Sequence, residues 1–131
     1  MIKLVRSEGL QFIAEDEHNH NIVVDTDKKH GGLDEGFHPL ELILVSLAGC
    51  MGMDIISILQ KKGGKIDRFE VFIEADKAPE HPKRYEKITV KFTCEGDYDR
   101  KDLVRSFELS RDKYCGALAT LQSRPDIEFI V

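Results

Sequence analysis

The chain has 131 residues, 41% of them hydrophobic and 33% charged, a composition that suits one soluble globular domain over 1–131, large enough to bury about two-thirds of its unfolded surface. Its formal net charge of −5, with no run of Lys or Arg to match a phosphate backbone, argues against nucleic acid as a partner. The opening MIKLVRSEGLQF has no apolar run of signal-peptide length, so a cytoplasmic location is expected.

Residues 2–7 and 10–16 read as short strands broken by a Glu8-Gly9 turn, and 21–25 (NIVVD) as a third strand of an antiparallel meander. The polar, glycine-rich stretch 27–38 reads as loop. Pro39 then suits the first turn of a helix over 39–62, which Gly63-Gly64 ends. This helix is apolar on nearly every side, and such helices are expected at the centre of a fold. At about 36 Å it is too long for one small domain to cover. Glu41, Asp54 and Gln60 interrupt it, which argues against a membrane span.

Residues 68–76 and 86–95 alternate apolar and polar side chains and read as paired strands joined by the proline-bearing loop KAPEHPKRY. Asp99 or Asp102 can cap a helix over 101–112, with Leu103, Val104 and Phe107 on one face. Tyr114-Cys115-Gly116 interrupts that pattern, a short helix follows over 116–122, and IEFIV (127–131) reads as a last strand. The expected class is α+β, a mainly antiparallel sheet wrapped on a long central helix.

Three cysteines without a secretory signal suit a reducing compartment, where cysteines are either buried filler or reactive. Cys94 shares the inward parity of Ile88, Val90 and Phe92 and reads as a small hydrophobe. Cys50 lies mid-helix beside Ala48, Gly49 and Gly52. Two helix-interior glycines cost about 1 kcal/mol each relative to alanine, a cost expected where something approaches the backbone closely, so the thiol is expected in a partly covered pocket. Cys115 starts a short helix with Lys113 close before it, and both features favour a lowered thiol pKa. Asp54, one turn after Cys50, opposes a thiolate there, so any activating group must come from elsewhere. The histidines at 18, 20, 30, 38 and 81 fall in turns and read as solvated. With no C-x-x-C and no histidine pair at zinc spacing, no metal and no cofactor is expected. From the residues alone, reactive and inert thiols both remain open.

The run HPLELILVSLAGC (38–50) followed by MGMD (51–54) resembles the first cysteine motif of the OsmC/Ohr family. His81-Pro82-Lys83, Glu95-Gly96 and LSRDKYC (109–115) resemble its later motifs, in the right order and spacing. The likeness spans about residues 22–131 and is strongest to the YhfA-type branch. It implies an OsmC-like fold, an intertwined homodimer with sites at the subunit interface, and a thiol peroxidase acting on organic hydroperoxides, with hydrogen peroxide as an alternative substrate. Carried over, Cys50 is the peroxidatic thiol, Cys115 resolves it as a disulfide, and an external dithiol reduces that disulfide. The family's peroxidases have a glutamate directly after the motif proline. Here that position is Leu40, and Glu41, one residue later and about 100° round the helix, is the catalytic candidate for that role. Their activating arginine comes from the N-terminal strands, where Arg6 is the only arginine. The competing reading is a non-catalytic protein of the same fold, binding an apolar small molecule at the dimer interface. A metal held by Cys50, Cys115 and a loop histidine such as His38 is the least favoured reading.

Overall fold

The computed structural model describes residues 1–131 and forms two compact units, Met1–Ile43 and Leu44–Val131. In the first, β1 (Lys3–Arg6), β2 (Phe12–Glu15) and β3 (Asn21–Val24) pair in sequence as the expected antiparallel meander. Asp25 follows β3 and is only 2% exposed. Its carboxylate accepts the N–H groups of Thr26, Leu33 and Glu35 and the Gln11 side-chain amide. These bonds gather the polar loop, which makes one 3-10 turn at Lys28–His30. The loop lies so close to β3 that a Cβ at Gly36 would stand 2.4 Å from the Val23 carbonyl oxygen. Only glycine tolerates that approach.

Helix α1 runs from Pro39 to Lys61. The Glu41 carboxylate accepts the His38 N–H at 2.8 Å, which satisfies a donor that helix geometry leaves orphaned. At the other end Gly63, with φ +90, gives the expected left-handed exit, and the Gly64 N–H returns to the Leu59 carbonyl.

In the second unit, β4 (Lys65–Lys77) and β5 (Tyr85–Asp97) form a long antiparallel ribbon, with Phe69 opposite Cys94 and Val71 opposite Phe92. Both strands outrun the expected ranges because hydrogen bonding carries the ladder through the polar ends. Helix α1 buries a single stripe, Leu47, Met51, Ile55 and Leu59, at the four-residue spacing of one helix face. Val45 remains 47% and Met53 75% exposed. This corrects the expectation of burial on every side: within this chain only one face of the helix is covered.

Asp99 caps α2 (Arg100–Leu109) by accepting the Lys101 N–H at 2.8 Å. The helix stops short of the expected residue 112, because residues Ser110–Tyr114 widen into a π turn closed by the Cys115 N–H on the Ser110 carbonyl at 2.9 Å. Helix α3 spans Gly116–Gln122 as expected. The strand expected at 127–131 does not form, and Ile127, Phe129 and Ile130 are 70%, 84% and 90% exposed. Neither sheet pairs with this segment. The α+β class stands, with two antiparallel sheets where one was expected.

Candidate thiol site

The π turn decides where the second thiol goes. Extending the last turn of α2 by one residue brings Cys115 out of helical register and leaves it as the N-cap of α3. Widened turns of this kind are rare and recur at functional positions. Cys115 enters the core with Leu47 and Met51, and Cys50, Ile73, Val90, Phe92, Phe107 and Leu118 pack around them. Phe92 and Phe107 meet with ring centroids 5.9 Å apart and tilted by 56°, within the centroid range at which aromatic pairs attract.

The consequence is a small cluster of reactive groups. The sulfurs of Cys50 and Cys115 and a carboxylate oxygen of Asp54 all lie within 4.8 Å of one another. Cys50 and Asp54 share a face of α1 because they stand one turn apart. Asp54 Oδ2 accepts the Ser110 hydroxyl at 2.9 Å, and Ser110 is 0% exposed. Cys115 is 4% exposed and Cys50 is half-buried.

The electrostatics differ from the sequence expectation. Cys115 does occupy a helix N-terminus, and its sulfur accepts the Leu118 N–H at 3.3 Å. Yet burial pushes its thiol above the ordinary value, the Leu118 N–H only partly offsets that, and the neighbouring Cys50 sulfur pushes it up again. Lys113, expected to lower it, instead stands 5.2 Å from the centroid of the Tyr114 ring. So the desolvation of a core position outweighs the N-terminal dipole of a seven-residue helix.

No arginine hydrogen-bonds to Cys50. Arg111 is held by both oxygens of Asp112, at 2.6 and 2.8 Å, and Arg6 donates to the Gly9 carbonyl at 2.7 Å. Glu41 stays outside the cluster, engaged at the start of α1, nine positions and two and a half turns of helix before Cys50. The glycines beside Cys50 make way for nothing in this chain. A Cβ at Gly49 would meet no neighbour, and one at Gly52 would rest at an ordinary 3.5 Å from Phe69 and Val71. A hollow of about 680 Å³ does exist, but Val71, Phe72, Ile73, Glu74, Thr89 and Lys91 of β4 and β5 line it, and neither thiol of the pair is among them.

Cys94 is half-buried, opposite Phe69, and its carbonyl accepts the Tyr98 hydroxyl at 2.7 Å. Of the histidines, His18, His20, His30 and His81 are exposed, and His20 and His30 pair with Asp16 and Asp27 in their own turns. Ser110 is a site residue that the sequence did not single out. Its contact with Asp54 had no signal in spacing, since 56 residues separate them.

The family described as OsmC-like protein matches residues 31–130. Protein YhfA of Escherichia coli strain K12 is 31% identical over 122 residues, covering 92% of this chain and 87% of that protein. A hypothetical protein of Aquifex aeolicus VF5 has the same fold, with a TM-score of 0.81 at 30% identity over 93% of this chain and 86% of that one. An organic hydroperoxide resistance protein OsmC of Legionella pneumophila has a TM-score of 0.65 over 93% of this chain and 89% of its own. At 10% identity that last likeness is one of fold alone.

Proposed function

This chain belongs to the OsmC-like protein family, and on that premise we propose that it is a cysteine-based hydroperoxide reductase of the cytoplasm that works as a homodimer. The observation that carries the reading is the approach of the Cys50 and Cys115 sulfurs to within 4.8 Å. Disulfide-bonded sulfurs stand about 2 Å apart, so the two side chains move together over the remaining gap when the bond forms. The name of the Legionella relative, a hydroperoxide resistance protein, supports the choice of substrate.

The roles follow from the environments of the two thiols. Cys115 is buried and pushed up by its surroundings, so it keeps its proton until the disulfide-forming step. Cys50 is the half-buried member that a peroxide can reach. Its thiolate attacks the terminal oxygen of ROOH. The O–O bond breaks, Cys50 becomes the sulfenic acid, and the alkoxide leaves and takes up a proton as ROH. The Cys115 sulfur then displaces hydroxide from Cys50–SOH. The S–S bond forms, and the thiol proton leaves with hydroxide as water. An external dithiol returns both sulfurs to the thiol state. Glu41 has no step in this scheme, because its carboxylate already closes the first turn of α1.

The exposed apolar side of α1, with Val45 and Met53, supports a second copy as the cover this helix lacks. One observation favours the competing reading of a non-catalytic protein holding an apolar small molecule: the charge beside Cys50 is the Asp54 carboxylate, with no guanidinium to stabilise a thiolate. Peroxide consumption separates the two readings. One equivalent of cumene hydroperoxide should remove two thiols and link Cys50 to Cys115, and Cys50→Ser should abolish turnover. Equal rates for the wild type and Cys50→Ser would leave the binding reading in place.

A further inference from the structure

We infer that Cys50, Asp54 and Cys115 form a binding site for a thiophilic divalent cation, zinc in particular. The donor atoms are two sulfurs and one carboxylate oxygen, all within 4.8 Å of one another. A tetrahedral zinc with bonds of about 2.3 Å to sulfur and about 2.1 Å to oxygen places such ligands about 3.5–3.8 Å apart. The cluster therefore closes on the ion by side-chain rotation, with no movement of the helices. Cys50 and Asp54 come from one turn of α1 and Cys115 from the start of α3, so two separate elements supply the set.

Three further observations point to a cation. Asp54 is half-buried and forms no ion pair. Of the cations near it along the chain, Lys62 pairs with Asp102, Arg111 with Asp112, and Lys113 lies over Tyr114. A carboxylate and two ionisable sulfurs gathered without a positive partner are compensated best by a metal ion. Second, the buried Ser110 hydroxyl engages Oδ2 of Asp54, leaving the other oxygen to ligate. An outer hydrogen bond that fixes a ligating carboxylate is what metal sites carry. Third, two sulfurs with one oxygen suit zinc and exclude magnesium and calcium, which take oxygen ligands. Three protein ligands leave a fourth position for water or an exogenous donor, so the ion is exchangeable rather than structural.

Binding replaces two S–H protons by two metal–sulfur bonds, and each cation taken up releases two protons to the buffer. This inference is independent of the peroxidase reading, since ligation needs no oxidant. The test is titration of the fully reduced protein with cobalt(II) and then zinc chloride, in weak buffer with a pH indicator. One cobalt per chain should bind with a sulfur-to-cobalt charge-transfer band in the near ultraviolet, and zinc should displace it. Two protons per ion should appear, and Cys50 and Cys115 should resist alkylation while Cys94 still reacts. Asp54→Asn and Ser110→Ala should each weaken zinc about 10–100-fold. No band, one ion for every two chains, or unchanged affinity in Asp54→Asn would overturn the assignment. Proton release and alkylation are read on the wild type, so a poorly folded variant does not decide the result.

Discussion

The Ser110 hydroxyl donates to the Asp54 carboxylate at 2.9 Å across 56 residues of sequence, and this bond joins the π turn to α1 beside both thiols. Ser110→Ala removes the donor and leaves a half-buried carboxylate without its one partner. Such losses cost about 1–3 kcal/mol, so the urea midpoint should fall while the slope stays the same. An unchanged midpoint would show that the bond adds nothing to the fold.

The uncovered side of α1 gives a second expectation. Met53 is 75% exposed in the middle of an apolar helix, and lysine there adds charge to the face proposed to meet a second copy. Light scattering should give twice the 14.9 kDa chain mass for the wild type and the chain mass itself for Met53→Lys. A monomeric wild type would remove the homodimer from the proposal.

Acid stability should depend on Asp25. Burial alone would raise its pKa, but the Gln11 amide and the N–H groups of Thr26, Leu33 and Glu35 outweigh it and lower the pKa from 3.8 to about 2. A depressed folded-state value stabilises the fold above the unfolded pKa, and that contribution is lost as pH falls from about 3.8 towards about 2. Denaturant midpoints of the wild type should drop across that window. Those of Asp25→Asn, lower at neutral pH, should lose this part of the slope.

At the alkaline end the sign reverses. The Cys115 thiol is raised by burial and by Cys50, so its contribution is intact below the unfolded thiol value and is lost as pH rises through the folded one. In reduced protein the rate of Cys115 alkylation should turn upward above the ordinary thiol range. Replacing Cys50 by serine removes one raising cause and should bring that upturn to lower pH. An upturn below the ordinary range would mean that the helix N-terminus governs this thiol after all.

Local chemistry was legible along the chain. Glu8-Gly9, Pro39, Gly63-Gly64 and Asp99 marked boundaries that the backbone keeps, because turns and caps are decided by neighbouring residues. The alternation of β4 and β5 reported its period directly, whereas the all-round apolar run of α1 gave its length but not its buried face. The segment 127–131, IEFIV, also reads as a strand, yet it is none, because pairing requires a partner edge that no local pattern encodes.

From sequence came the α+β class, the long helix and, through its motifs, the family, all of which rest on local periodicity and ordered residue types. Only the folded chain decided what surrounds each thiol. The π turn set Cys115 into the core, desolvation there reversed the pKa shift that its helix position suggested, and Ser110 met Asp54. Those outcomes depend on distances between residues far apart in the chain, and spacing along a sequence carries no information about them.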